Sequence, residues 1–232
     1  MRASRLVLLL PLVFAAAGCG ELADLVDDPS TADGTGSQVS DGFSDTAPFT
    51  VTVDGAALTA AIEALDVAEE QDEGYDRDLF PHWRDADGNG CSARDDVLVS
   101  QDRSGALTEA DCDDAMTGEW VSMYDGETVT ASGDIDIDHF VPLKEAWGSG
   151  AHAWTTEDRQ SYANWLENEW HLIAVTASSN RSKSDKDPAE WMPSDESVWC
   201  AYVWAWTEVK TEWNLSVDEA EQAALLEYAS QC

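Results

Sequence analysis

The chain has 232 residues, of which 47 are Asp or Glu and 12 are Lys or Arg, so its formal charge is −35. A hydrophobic fraction of 44% with 11 Trp and 5 Cys is typical of a folded protein and excludes a chain that is disordered throughout. The charge excludes a broadly basic wrapper of nucleic acid, although it is compatible with a small local basic site. Such acidity is also typical of a protein that stays soluble in high salt, where the repulsion between charges is screened.

The N-terminus has the pattern of an export signal. Two arginines precede an apolar run over residues 6–17, which is too short to span the roughly 20-residue hydrocarbon core of a bilayer. The sequence Ala-Ala-Gly-Cys over residues 16–19 resembles a bacterial lipobox, which implies cleavage before Cys19 and lipidation of its thiol. We expect a signal peptide over residues 1–18 and an extracytoplasmic protein, anchored by lipid to the cell membrane or secreted. The alternative is an ordinary secretory signal, with Cys19 either in the part that is removed or left as a spare thiol.

The next residues predict a tether followed by one domain. Residues 19–48 contain no Lys or Arg and are rich in Asp, Gly, Ser and Thr, which is typical of a flexible, disordered acidic segment. A single domain is expected over residues 49–232. It begins with a short alternating, β-prone run over residues 49–53 and a helical pattern over residues 56–70. Residues 75–133 mix turn signals with short apolar pieces, which predicts irregular hairpins.

The remaining cysteines predict disulfides. An exported chain meets oxidising conditions, and four cysteines remain once Cys19 is assigned to lipid: Cys91, Cys112, Cys200 and Cys232. Four cysteines allow three pairings, of which the local one joins the first two and the last two and needs no tie between the halves of the domain. A thiolate zinc site is the alternative, and it is disfavoured because no two of these cysteines form a Cys-x-x-Cys pair.

The C-terminal third has regular helical patterns. A helix is predicted from a cap at Thr155 or Thr156 to about Trp170. A capping-box pattern beginning at Ser216 predicts a last helix that ends near the C-terminus. Between them, one helical stripe carries bulky apolar side chains, and this spacing favours a core face over a base-stacking surface. The stripe consists of Trp199, Val203, Trp206, Val209 and Trp213.

Two short polar patterns carry the candidate chemistry. Asp and Ile alternate over residues 134–138, so the Asp side chains share one face of a predicted strand that Asp138 and His139 close. A carboxylate next to an imidazole can supply a metal ligand and a general base from adjacent positions. A second apolar strand over residues 170–175 leads into a basic segment. There, helical spacing places Asn180 and Lys183 on one face. The basic residues of this segment predict an anion site; the alternative is a helix end that balances local acids.

Together, these pieces resemble the HNH endonuclease family with its ββα-metal motif, and more narrowly the secreted actinobacterial HNH-type lipoproteins. The resemblance is carried by Asp-His-Phe-Val-Pro-Leu over residues 138–143, His-Leu over 171–172 and Asn-Arg-Ser-Lys over 180–183. It covers about residues 75–213. It implies an α+β fold in which a ββα-metal core, over about residues 134–193, has flanking α-helices and a disulfide-tied irregular N-terminal portion.

The resemblance also implies an activity and the residues that perform it. The activity is metal-dependent hydrolysis of phosphodiester bonds in nucleic acid, DNA rather than RNA, with low sequence specificity, by a monomer anchored at the cell surface. His139 would be the general base, and Asp138 and Asn180 would hold one divalent cation. Lys183 and Arg181 would contact phosphate.

His171 stands where the family most often has Asn. That Asn braces the loop that carries the base, and His171 is expected to do the same. The alternative is that His171 adds a nitrogen ligand to the cation. Oxygen ligands alone favour Mg²⁺ or Mn²⁺, whereas a His171 ligand would favour Zn²⁺ or Ni²⁺.

A possible calcium loop lies upstream. Asp85, Asp87, Asn89 and Asp96 follow the spacing of an EF-hand loop. Cys91 inside the loop, an Asp in place of the bidentate Glu and the lack of a clear preceding helix favour a tight turn instead. Calcium binding here is the basis of the alternative function, a non-catalytic, calcium-stabilised extracellular binding lipoprotein that retains an HNH-like shell.

Overall fold

Helices and two small antiparallel sheets make up the part of the chain that this computed structural model describes, residues 48–112 and 115–232. The predicted signal peptide, the lipidation of Cys19 and the tether up to residue 47 lie outside these residues and stay predictions. No helix of the described ranges is both long and apolar enough to cross a membrane.

The helices and strands of the described residues are named here in chain order. They are α1 (Gly55–Glu63), α2 (Ala93–Ser100), β1 (Thr117–Val121), β2 (Thr128–Ala131), β3 (Ile135–His139), α3 (Leu143–Gly148), α4 (Thr156–Ala163), β4 (Leu172–Thr176), α5 (Ala177–Lys183), α6 (Trp199–Glu212) and α7 (Glu219–Ala229). Single 3₁₀ turns lie at Arg77–Leu79, Glu109–Asp111, Ala151–Ala153 and Glu196–Val198.

The predicted ββα core is present. β3 pairs antiparallel with β4, in a register that runs from Ile135 opposite Thr176 to His139 opposite Leu172, and α5 follows β4 without a connecting loop. The alternation of the sequence sets the faces, because successive side chains of a strand point to opposite sides. Ile135 and Ile137 are buried in a small core cluster with side chains of α2 and with Trp120. The α+β class predicted from the sequence is confirmed.

A larger core lies around α6. Val203, Trp206 and Val209 of the predicted stripe are fully buried there, in one cluster with side chains of α1, α3, α4, β4 and α7. The prediction that the stripe is core is confirmed for these three residues, whereas Trp199 and Trp213 at its two ends are only partly buried.

Both disulfides have the local pairing. Cys91 is bonded to Cys112 and Cys200 to Cys232. The first bond ties the loop before α2 to the segment before β1, and the second ties the start of α6 to the end of the chain. These four sulfur atoms are therefore not available as thiolate ligands for zinc.

Two predicted helices are shorter than expected because the residues after them form contacts with distant parts of the chain. The helix predicted over residues 56–70 ends at Glu63, after which Val67 forms a parallel bridge with Val217. The helix predicted to reach Trp170 ends at Ala163. Each of these chain segments thus exchanges helical hydrogen bonds for contacts with distant residues.

Two other predictions are wrong, those of a strand at residues 49–53 and of a cap at Ser216, and the prediction of irregular hairpins holds only in part. Residues 49–53 form no strand; Phe49 is instead buried among aromatic rings. Residues 75–133 contain the helix α2 as well as the β1–β2 hairpin. The last helix is capped by Asp218, whose side chain accepts a hydrogen bond from the Glu221 N–H, and not by Ser216, which is bonded to the Ser149 carbonyl.

Candidate active site

The C-terminal end of α4 orients the two histidines of the motif. The last carbonyls of a helix have no partner within it and are open to outside donors. His139 Nε2 lies 3.0 Å from the Ala163 carbonyl, and His171 Nε2 lies 2.7 Å from the Tyr162 carbonyl. Since a carbonyl oxygen only accepts hydrogen bonds, Nε2 of each ring carries the proton, and Nδ1 is the unprotonated nitrogen.

His139 is buried between aromatic rings. Its ring centroid lies 5.5 Å from that of Trp83 and 6.5 Å from that of Tyr162. Burial lowers the pKa of His139 well below its ordinary value; the Ala163 carbonyl opposes this shift, and the positive charges of neighbouring cationic groups add to it. The imidazole is therefore neutral at pH 7, as a general base requires.

Asp138 belongs to a buried ionic cluster. Its Oδ2 accepts hydrogen bonds from the Tyr124 hydroxyl at 2.7 Å and from Lys183 Nζ at 2.6 Å. The ammonium of Lys183 also donates to the main-chain carbonyl of His139 at 3.2 Å. Burial raises the pKa of Asp138, and the charge of Lys183 together with the Tyr124 hydroxyl opposes that shift. Burial likewise lowers the pKa of Lys183, against the attraction of Asp138.

The predicted contact between Lys183 and phosphate is therefore wrong, because that contact requires an ammonium group that is exposed to the substrate. The side chain of Lys183 is fully buried and its ammonium is committed to Asp138 and His139. The ammonium of Lys183 thus links the carboxylate of Asp138 to the main chain of His139. Arg181, the other predicted phosphate contact, is exposed on α5.

Asn180 lies one helical turn before Lys183 and forms a parallel pair of its own. Its Nδ2 donates to Asp136 Oδ2 at 3.0 Å. Asp136 and Asp138 are two residues apart and share one face of β3, so the two pairs lie side by side between β3 and α5. The structure thus brings Asp138, Asn180 and Lys183 to one interface, and it adds Asp136, which the alternation of acids in residues 134–138 could have indicated.

The donor atoms of this interface fit a hard divalent cation. Asn180 donates through nitrogen, which leaves its Oδ1, and Asp138 uses Oδ2, which leaves its Oδ1. Carboxylate and amide oxygens are ligands that Mg²⁺ and Mn²⁺ accept. His171 lies elsewhere: its ring packs against Tyr162 and Trp213. That position supports the bracing role of His171 over a metal-ligand role.

His171 is buried, and its burial affects the pKa of its imidazole. The removal of its ring from water lowers its pKa to about 4, and the hydrogen bond to the Tyr162 carbonyl opposes this shift. Its main-chain carbonyl accepts a hydrogen bond from the Phe140 N–H at 2.9 Å, one residue after the proposed base. The side chain of His171 thus fixes the end of α4, and its backbone fixes the residue after His139.

Asn164 is a buried residue of the site that the sequence did not single out. Its Nδ2 donates to the Pro81 carbonyl at 2.7 Å, and its Oδ1 accepts from the Arg84 N–H at 2.6 Å. It follows Ala163 directly, so the end of α4 holds both the imidazole of His139 and the segment that contains Trp83. No sequence pattern could have found this role, since the partners are some 80 residues away in the chain.

The four residues of the possible calcium loop are brought together at the start of α2. Asp85 accepts hydrogen bonds from the Gly88 N–H at 2.7 Å and the Gly90 N–H at 3.2 Å. Asn89 Nδ2 donates to Asp96 Oδ1 at 2.9 Å, while Asp96 Oδ2 is buried with no hydrogen-bond partner among the described residues. The loop is thus a self-bonded turn with one unpaired carboxylate oxygen. Calcium binding by it stays a prediction.

One protein family matches the part of the chain that contains this site. The profile of the family "GmrSD restriction endonucleases, C-terminal domain" matches residues 101–228, which is more than half of the chain. The chain belongs to this family. The HNH-type resemblance predicted from the motif is thereby confirmed at the level of the family.

The match to the GmrSD C-terminal domain family includes β3, α4, β4 and α5, so it spans the whole ββα core and the end of α4. A protein from Arthroderma benhamiae named "Uncharacterized secreted protein" is 46% identical over 160 residues, which are 69% of this chain and 76% of that protein. No solved structure matches the chain.

Proposed function

We propose that this member of the GmrSD C-terminal domain family is a secreted or surface-anchored nuclease that hydrolyses phosphodiester bonds with a divalent cation. DNA is the preferred substrate and little sequence preference is expected. The observation that carries the proposal is the orientation of His139: the Ala163 carbonyl fixes its proton on Nε2 and leaves Nδ1 as the base, next to the buried carboxylate of Asp138.

Each residue of the site has a separate role in the proposed reaction. Nδ1 of His139 takes a proton from the attacking water, whose oxygen bonds to phosphorus as the bond to the leaving oxygen breaks; the leaving oxygen is protonated from solvent. The imidazolium that forms is stabilised by the Ala163 carbonyl at the negative end of α4. Lys183 and Tyr124 fix the carboxylate of Asp138, and His171 keeps the end of α4 in place.

Asp138 and Asn180 are the residues that would hold the cation. When bound, Mg²⁺ or Mn²⁺ supplies positive charge for the oxygens that become more negative during hydrolysis. The carboxylate of Asp136 orients the amide of Asn180, because it accepts the hydrogen bond from Nδ2.

The second candidate is the non-catalytic, calcium-stabilised binding lipoprotein. The buried, unpaired Oδ2 of Asp96 favours it, because a buried carboxylate oxygen without a partner carries a free-energy cost that a bound cation would remove. The name of the fungal relative supports an extracellular location for this chain. The lipid anchor at Cys19 and the monomeric state are part of the proposal.

The test is cleavage of supercoiled plasmid and of RNA by the purified protein, with Mg²⁺, Mn²⁺, Zn²⁺, Ni²⁺, Ca²⁺ or EDTA. Removal of a general base costs about 100-fold or more in rate, so His139→Ala should lose cleavage while it stays folded. His152→Ala is the matched control, since His152 also bonds a backbone carbonyl, that of Trp147, at 3.0 Å. Undiminished cleavage by His139→Ala contradicts the proposed base. No cleavage by the parent with any cation favours the second candidate.

A further inference from the structure

The indole ring of Trp83 lies against the imidazole of His139. The centroids of the two rings are 5.5 Å apart, and their planes are tilted by 36°. The ring of Tyr162 also packs on this imidazole, with a centroid distance of 6.5 Å and nearly parallel planes. Tyr162 is fully buried in the core, whereas Trp83 is half-buried and comes from the segment ahead of α2, outside the residues that the family profile matches. The proposed base is thus in contact with one ring of the core and one ring of a peripheral segment.

The peripheral segment presents the indole ring through an unfavourable backbone conformation. Trp83 has φ +56°, in the left-handed region that residues other than glycine rarely adopt. The buried side chain of Asn164 holds the chain before and after it. Nδ2 of Asn164 donates to the Pro81 carbonyl at 2.7 Å, and its Oδ1 accepts from the Arg84 N–H at 2.6 Å. The conformation of Trp83 is therefore retained because hydrogen bonds hold the residues that flank it.

His139 has to keep one orientation in order to act as the base. Its Nε2 must stay on the Ala163 carbonyl, 3.0 Å away, so that Nδ1 remains the unprotonated nitrogen. A ring packed on the imidazole opposes any rotation that would break this bond, because the contact between the rings is lost when the imidazole turns. A contact of this kind changes an equilibrium constant by about 2- to 10-fold.

We propose that Trp83 is a positioning residue for His139: its ring holds the imidazole on the Ala163 carbonyl, and Asn164 holds Trp83 in place. This inference rests on the proposed function, in which Nδ1 of His139 takes a proton from the attacking water. Trp83 acts through His139, so its loss should slow the chemical step and should not weaken substrate binding.

Proton exchange at the imidazole nitrogen tests this role without any measurement of cleavage. A hydrogen-bonded N–H exchanges with water when its bond opens, so the exchange rate reports how often the imidazole leaves the carbonyl. In ¹⁵N-labelled protein, the Nε2–H signals of His139 and His171 are assigned by their absence from His139→Ala and His171→Asn. Trp83→Ala should raise the exchange rate of the His139 signal by about 2- to 10-fold. The His171 signal is the internal control and should be unchanged, since that ring bonds the Tyr162 carbonyl.

Cleavage kinetics test the consequence for the reaction. Trp83→Ala should lower kcat for plasmid by about 10- to 100-fold with KM nearly unchanged, because a misplaced base slows the chemical step. Trp83→Gly removes the same ring but adopts the left-handed backbone without strain, and it should lose as much. Trp83→Phe keeps an aromatic ring and should recover part of kcat. Trp199→Ala is the matched control and should leave kcat unchanged, because Trp199 is also half-buried but packs on Tyr228 of α7, with centroids 5.0 Å apart.

A double variant tests the link between Asn164 and Trp83. Asn164→Ala should change kcat and the exchange rate of His139 in the same direction as Trp83→Gly does. The double variant should be no worse than the poorer of the two single variants, because both changes remove one and the same restraint on His139.

The outcomes separate this inference from the proposed function. An unchanged exchange rate of His139 and an unchanged kcat in both Trp83→Ala and Trp83→Gly overturn the inference and leave the nuclease standing. A rise in KM at unchanged kcat also overturns it, because Trp83 would then contact the substrate and not position the base. A parent that cleaves no nucleic acid, but in which the Trp83 variants raise the exchange rate of His139 alone, keeps the positioning role and overturns the proposed function.

Discussion

The buried imidazole of His171 makes the stability of the protein depend on pH in a predictable way. Its pKa is about 4 in the folded protein against 6.5 when exposed. Because the folded pKa is lower, the unfolded chain binds more protons between these two values. The contribution of His171 is thus fully present above about pH 6.5 and is lost as the pH falls toward 4. A shift of this size corresponds to about 3 kcal/mol in total, and to about 2 kcal/mol between pH 7 and pH 5.

The assay is urea unfolding of the parent and of His171→Asn at pH 7 and at pH 5. Asn is the residue that the HNH family most often has at this position, and it does not titrate. The variant should be less stable than the parent at pH 7 but should lose about 2 kcal/mol less on acidification. Val175→Ala is the control, because it destabilises the buried strand β4 that follows His171 without removing a titratable group and should keep the parent's pH dependence.

The reasoning is refuted if the difference in unfolding free energy between the parent and His171→Asn is the same at both pH values. That result would mean that the ring is not held neutral by burial, so Nδ1 of His171 could not be assigned as the unprotonated nitrogen.

Three further predictions concern the ionic cluster, the second disulfide and the acidic loop. Lys183→Met should destabilise the fold by about 3–5 kcal/mol in urea unfolding, because Asp138 is left buried without its ion partner; the addition of Asp138→Leu should recover most of this loss. Replacement of Cys200 and Cys232 by Ser should cost about 3–4 kcal/mol, given the separation of 32 residues, and no change in unfolding would contradict this disulfide bond. Calcium at about 100 times its Kd should stabilise the protein by about 2.7 kcal/mol, and Asp87→Ala should remove that effect; an unchanged Tm with calcium identifies the loop as a turn only.

The site shows which assignments a sequence can support. The alternation of Asp and Ile predicted the face of β3, and the spacing of Asn180 and Lys183 predicted a shared face of α5. Both hold because strand and helix periodicity are local properties. The phosphate contact of Lys183 could not be judged in this way, because whether an ammonium is exposed or buried depends on what packs over it. Burial against Asp138 was decided by the topology.

The sequence by itself determined the ββα motif and its order of residues, since these depend on residues that are close in the chain or on a motif with fixed spacing. It left three pairings of the four cysteines open, and the structure decided for the local one. Only the tertiary structure decided that α4 ends at Ala163, that Asn164 holds the segment around Trp83, and that Asp136 pairs with Asn180. These contacts join residues 44 or more positions apart. The free energy of these contacts is gained only when the helices and strands pack together. Local sequence propensity therefore does not predict them.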